Sequence, residues 1–71
     1  MEFSLQEQAF IELNKLLKLL NIAESGGYAN QMIINGEVYL NNKIETRKRC
    51  KLKPGDTVSI SNTEITIYIK H

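Results

Sequence analysis

Ser25-Gly26-Gly27-Tyr28-Ala29-Asn30-Gln31-Met32-Ile33-Ile34-Asn35-Gly36-Glu37-Val38-Tyr39-Leu40-Asn41-Asn42-Lys43-Ile44 changes its hydrophobic period once, and that change decides the class of fold. Up to Asn35, the apolar residues Ala29, Met32 and Ile33 recur at i, i+3 and i+4, the inner face of a helix, with Tyr28 and Gln31 toward its outer side. Ser25 suits the N-cap, because its hydroxyl accepts from a backbone N–H of the first turn. Gly36 suits the position just past the last turn, where the backbone goes left-handed. The glycines after Ser25 permit a tight connection and close helix packing, or they leave bare N–H groups open to a phosphate. Beyond Gly36 the pattern is β: Glu37 to Leu40, then Asn41-Asn42, then Lys43 to Glu45 reads as a hairpin whose asparagines tolerate positive φ. A two-residue turn pairs Tyr39 with Ile44, and a longer, bulged one pairs Leu40 with it.

Working outward toward the N-terminus, Phe10, Leu13, Leu16, Leu17 and Leu20 form a second amphipathic stripe, which predicts a helix from about Phe10 to Leu20 that stops at Asn21. Glu12, Asn14, Lys15 and Lys18 take its polar face. So few residues separate the two helices that they must form a helix-turn-helix-like pair. Met1 to Leu5 reads equally as a short edge strand or as a disordered tail. Toward the C-terminus, Lys53-Pro54-Gly55-Asp56 has the Pro-Gly pair of a type II turn. A strand follows, Thr57 to Ile60, with Val58 and Ile60 on one side. After the turn Ser61 to Glu64, residues Ile65, Ile67 and Ile69 alternate with Thr66, Tyr68 and Lys70. Two helices covering one face of a small, mostly antiparallel sheet of three to five strands make an α+β fold.

Between the hairpin and the Pro-Gly turn lies Glu45-Thr46-Arg47-Lys48-Arg49-Cys50-Lys51-Leu52-Lys53, which holds five of the nine basic residues. A run of like charge is ordinarily a solvated loop. Here Cys50 and Leu52 interrupt it and strands bound it, so a loop held in place is expected, and a fixed cationic loop binds phosphate. The net charge of +1 conceals an asymmetry: residues 1–37 carry five acidic and two basic residues, the remainder three acidic and seven basic. One cysteine forms no internal disulfide, and a lone His71 supplies no zinc set, so no cofactor is expected. The longest apolar cluster, Leu16 to Leu20, is broken by Lys18, so no segment is expected to span a membrane. Glu2, Glu7 and Glu12 oppose a signal peptide, and the expected location is the cytoplasm. There is no nucleophile, base and orienting acid in a recognisable set, and no phosphate loop of the Walker type, which argues against an enzyme.

Several blocks in order resemble one family. Leu13-Asn14-Lys15-Leu16-Leu17, Ala23-Glu24-Ser25, Ile33-Ile34-Asn35-Gly36-Glu37-Val38-Tyr39-Leu40-Asn41 and Leu52-Lys53-Pro54-Gly55-Asp56-Thr57-Val58 are similar to the RNA-binding domain named after ribosomal protein S4, also called the αL motif. Ser25-Gly26-Gly27-x-Ala29 and Glu45 to Lys51 are similar to its small stand-alone bacterial members of the YbcJ and YaaA type. The resemblance covers roughly residues 10–60 of what reads as a single domain over 1–71, with 61–71 a C-terminal strand extension. It implies two helices packed on a small sheet, and binding of structured RNA through the second helix, the turn before it and the loops of the sheet. One departure matters: family members commonly carry Arg or Lys just after the alanine matching Ala29, where this chain has Asn30. That shifts the expected affinity toward the basic loop.

Arg47, Lys48 and Arg49 are therefore the leading candidates for phosphate contact, with Lys51 beside them, Lys15, Lys18 and Lys43 as contributors, and Ser25, Gly26 and Gly27 at the helix start. Tyr28 either stacks on an exposed base or packs on the domain; Gln31 and Asn30 either reach ribose or base edges or are simply solvated. Cys50 is read as a small hydrophobe anchoring the loop, or as a thiol whose pKa its basic neighbours depress. The expected function is non-catalytic binding of structured RNA: ribosomal, transfer or small regulatory RNA, with ribosome association among the expectations. The competing expectation is a small protein-interaction adaptor whose basic loop is only a solvated surface.

Overall fold

The computed structural model describes residues 1–71. In chain order the elements are β1 (Glu2–Ser4), β2 (Ile11–Glu12), α1 (Leu13–Leu19), α2 (Gly26–Ile34), β3 (Val38–Leu40), β4 (Lys43–Ile44), β5 (Lys51–Leu52), β6 (Thr57–Ile60) and β7 (Thr66–Lys70). Five strands form one sheet in the order β1-β7-β6-β3-β4, antiparallel except where β1 runs parallel to β7, and β2 and β5 form a separate two-stranded ribbon. The first residues are thus a strand: Phe3 lies opposite Ile69, which joins the two ends of the chain.

The second helix and the hairpin form where local sequence places them. Ser25 Oγ accepts from the Tyr28 N–H at 3.1 Å. At the other end Gly36 takes φ 77°, and the N–H groups of Gly36 and Glu37 donate to Ile33 and Met32 carbonyls, a Schellman closure. The Asn41-Asn42 turn is the two-residue form, with Tyr39 opposite Ile44 and both asparagines at positive φ. Asn41 also donates to Asp56 and accepts from the Thr57 N–H, tying the hairpin to the Pro-Gly turn, where Gly55 has φ 98°. The glycines after Ser25 serve no close packing: a Cβ on Gly26 would meet nothing within 4 Å, and one on Gly27 only Ser25 Oγ at 3.9 Å.

The first helix departs from expectation. It begins at Leu13, not near Phe10, because Ile11 and Glu12 pair with Leu52 and Lys51 of β5. Burial follows the strand and not the helical stripe, with Ile11 5% exposed and Phe10 37%. Glu12 offers α1 no side-chain cap; instead the Leu13 and Asn14 N–H groups donate to the carbonyls of Cys50 and Lys48 at 2.9 and 3.0 Å. Helix α1 ends as expected, with Asn21 left-handed at φ 60°.

The core is one cluster of fifteen buried apolar residues, with no buried polar side chain. Leu13, Leu16 and Leu17 of α1 and Ala29, Met32 and Ile33 of α2 join Val38, Val58, Ile60, Ile67 and Ile69 of the sheet, so the helices cover one sheet face. Ile65 precedes β7 and packs at the margin of this cluster. Ile11 and Leu52 extend it beneath the ribbon, which fixes the ribbon against the body of the protein. No helix is long and apolar enough to cross a membrane.

Candidate functional site

The basic segment leaves β4, crosses to β5 and is held along its whole length. Its carbonyls at Lys48 and Cys50 accept from the start of α1, and Cys50 is half-buried, packed against the core. That packing is what the anchoring reading of Cys50 calls for, though the residue is only partly buried; the alternative of a depressed thiol pKa fails, because burial and then the nearby Glu45 charge raise it. Glu45, whose side chain is 13% exposed, accepts the Arg47 backbone N–H at 3.0 Å, its Nε at 2.9 Å and its Nη2 at 3.1 Å. Those guanidinium hydrogen bonds hold the carboxyl at about 2, below the usual 4.5, against the opposing effect of partial burial. Arg49 Nε donates to Glu12 at 3.0 Å.

The two arginines, though both side chains remain largely exposed, are therefore paired with carboxylates and oriented by them. The lysines are not. Lys48, Lys51, Lys53, Lys15 and Lys18 take part in none of the three ion pairs, the third of which joins Lys70 to Glu2. Arg47, Arg49, Cys50, Lys51 and Lys53 line an open depression of about 530 Å³. A second, of about 230 Å³, is lined by Glu12, Asn14, Lys15, Lys18 and Gly26. Arg49 belongs to the first and Glu12 to the second, so their ion pair is the wall between the two.

This geometry sorts the residues singled out by sequence. Arg47, Arg49 and Lys51 come together in the first depression; Lys15, Lys18 and Gly26 come together in the second. Lys48 is exposed on the same loop. Lys43 stands opposite Leu40 on β4, at the edge of the five-stranded sheet. Ser25 caps α2, and the Gly26 and Gly27 N–H groups, in the first turn, have no intrahelical carbonyl to bond. Tyr28 and Gln31 are exposed on α2. Asn30 is not free: its side-chain oxygen accepts from Asn14 Nδ2 at 3.0 Å and ties the helices together.

Three contributors escaped the sequence reading. Glu12 and Glu45 orient the arginines, and Phe10 lies under Lys51, whose ammonium is 4.9 Å from the ring centroid; Lys53, counted in the basic run but not singled out as a contact, also lines the first depression. The Glu45-x-Arg47 spacing is a local signal for one of these pairs, since a carboxylate can accept the N–H two residues on. Nothing local links Glu12 to Arg49 or Phe10 to Lys51. No three His, Cys, Asp or Glu side chains come together as a metal-binding group.

Comparison with known proteins agrees with this architecture. Residues 3–68 match the model of the S4 domain. The protein YbcJ of Escherichia coli (strain K12) is 42% identical over 65 residues, covering 92% of this chain and 93% of its own, and YbcJ of Shigella flexneri matches to the same extent. The solution structure of E. coli YbcJ, described as revealing an αL motif involved in RNA binding, superposes with a TM-score of 0.68 at 40% identity, covering 94% of this chain and 85% of that one.

Proposed function

The chain belongs to the S4 domain family, and from that premise we propose that it is a non-catalytic protein that binds structured RNA through the Glu45 to Lys53 loop and the start of α2. Its RNA is of the ribosomal, transfer or small regulatory class, met in the cytoplasm, and residues 1–71 act as one binding unit. The observation that carries this reading is the division of labour among the cations. Arg47 and Arg49 bring their counter-charges with them, whereas Lys51 and Lys53 line one open depression outside any ion pair and Lys48, also outside any ion pair, is exposed on the same loop. Free ammonium groups release counterions from the backbone and supply affinity; oriented guanidinium edges supply position. An A-form duplex hides its bases in a deep groove, so phosphates and 2′-hydroxyls are what such a surface meets. Lys15 and Lys18, across the Arg49–Glu12 wall, extend the cationic face to the first turn of α2, where bare N–H groups favour an anion.

The test is a titration against a structured RNA hairpin, a single strand and a DNA duplex at two salt concentrations. The RNA hairpin is expected to bind best, with a logarithmic salt slope on the order of −2 to −3 if three lysines each contribute roughly 0.7 to 0.9. A folded K48A/K51A/K53A variant should lose most of that slope. Equal, salt-insensitive and weak binding of all three nucleic acids would overturn the proposal in favour of the adaptor reading.

A further inference from the structure

The ribbon formed by β2 and β5 has one buried face and one open face. Ile11 and Leu52, directly opposite each other, point into the core. Strand alternation then assigns Phe10, Glu12, Lys51 and Lys53 to the other face. The Phe10 ring beneath the Lys51 ammonium agrees with that assignment, as does Glu12 reaching Arg49. This face is not a random mixture: it sets an aromatic ring among cations, beside a depression lined by Arg49, Lys51 and Lys53.

An apolar stripe would have drawn Phe10 inward. The pairing of β2 with β5 instead sends Ile11 to the core and leaves the ring at the surface, covered only in part. An exposed aromatic flanked by ammonium and guanidinium groups has the two elements that hold an unpaired nucleotide: a π-face for the base and cations for the phosphates on either side of it. Lys51, whose ammonium lies 4.9 Å from the ring centroid, adjoins the ring on a flexible four-carbon stem. A fully paired duplex offers no free base face to this ring, because its bases are stacked on one another.

Resting on the RNA-binding reading above, we infer that the open face of the β2–β5 ribbon is a docking platform for one unpaired base of a structured RNA, stacked on Phe10 with its flanking phosphates held by Lys51, Lys53 and Arg49. The platform adds a preference for bulged or looped RNA over a continuous duplex. That preference comes from the stacking on Phe10, because the cations the platform shares with the wider RNA-binding surface meet phosphates and do not discriminate between the two.

The chain contains no tryptophan, so F10W installs a single fluorescent reporter in the platform itself. The probes are an RNA duplex carrying one bulged adenosine and the same duplex fully paired. The parent is expected to bind the bulged duplex more tightly. F10L, which keeps apolar bulk but has no π-face, should weaken binding to the bulged duplex by about tenfold and leave the paired duplex and the salt slope unchanged. F10Y should restore the preference, and F10W emission should be quenched by the bulged duplex and not by the paired one. Thermal unfolding of each variant separates loss of binding from loss of fold. If folded F10L retains the parent's preference, or F10W emission responds equally to both duplexes, the platform is wrong while the RNA-binding reading stands. If the parent binds neither duplex in a salt-dependent manner, both are wrong.

Discussion

The first turn of α2 and the loop leading into β5 are ordered by opposite means. Ser25 caps α2 from three residues away. The loop has one local tie, Glu45 with Arg47, but it is fixed to the body of the protein by groups far along the chain: Glu12 lies 37 positions from Arg49, and the carbonyls of Lys48 and Cys50 are taken up by the N–H groups of Asn14 and Leu13. The two regions also differ in charge, since α2 has no acidic residue in its first turn and no basic residue in its last, while the loop carries five cations. The positive end of α1 sits beside those cations, and Glu12 and Glu45 offset the repulsion that results. A locally capped turn can thus expose backbone donors cheaply, whereas a dense cluster of cations needs the rest of the fold to hold it.

That contrast breaks most directly at Leu52, which is fully buried under the ribbon. Leu52→Ala should cost about 2 to 5 kcal/mol in urea unfolding and strip hydrogen-exchange protection from the Leu13 amide. Retained protection there would mean that the ribbon does not hold the loop. Ser25→Ala should cost about 1 kcal/mol and expose the Tyr28 amide to exchange while leaving the loop amides unchanged; a disturbance spreading to the loop would erase the distinction between the two regions.

Glu45→Gln sharpens the comparison through pH. The folded carboxyl titrates at about 2 against 4.5 when unperturbed, so its contribution is complete above 4.5 and is lost as pH falls through the folded value. The parent should unfold a few degrees higher than E45Q at neutral pH, and the gap should close between about pH 4.5 and 2; a gap constant across that range would show that the Arg47 pair is not its source. The smallest stability effect belongs to Lys48→Ala, expected within about 0.5 kcal/mol of the parent. Its signature is instead a salt slope for RNA binding that is shallower by roughly 0.7 to 0.9, and an unchanged slope would remove Lys48 from the interface.

The same contrast separates what was legible in sequence from what was not. The α2 caps at Ser25 and Gly36, the Asn41-Asn42 turn and the alternation of β6 and β7 were all readable, because each depends on a few adjacent residues. The extent of α1 was not: Phe10 fits a helical stripe as well as Leu13 does, and only the pairing of Ile11 with Leu52 shows that the chain is still a strand there. Asn30 could be read as a solvated side chain until Asn14 was found to donate to it. The clustering of cations was visible, and the Glu45-x-Arg47 spacing marks one pair locally, but the pairing of Arg49 was not legible, since its guanidinium and the Glu12 carboxylate reveal nothing of each other across 37 residues.

By itself, then, the sequence determined the α+β class, the second helix, the hairpin register to within two alternatives, and the segment on which positive charge is concentrated. These follow from period, capping and turn chemistry, whose interactions are local and so are written in neighbouring residues. Only the tertiary structure decided that the first residues close the sheet against β7, that Phe10 stands outside the core beneath Lys51, and that Glu12 walls one cationic depression from the other. Those outcomes depend on which distant strands meet, and burying Ile11 and Leu52 together outweighs the helical preference of the residues around them.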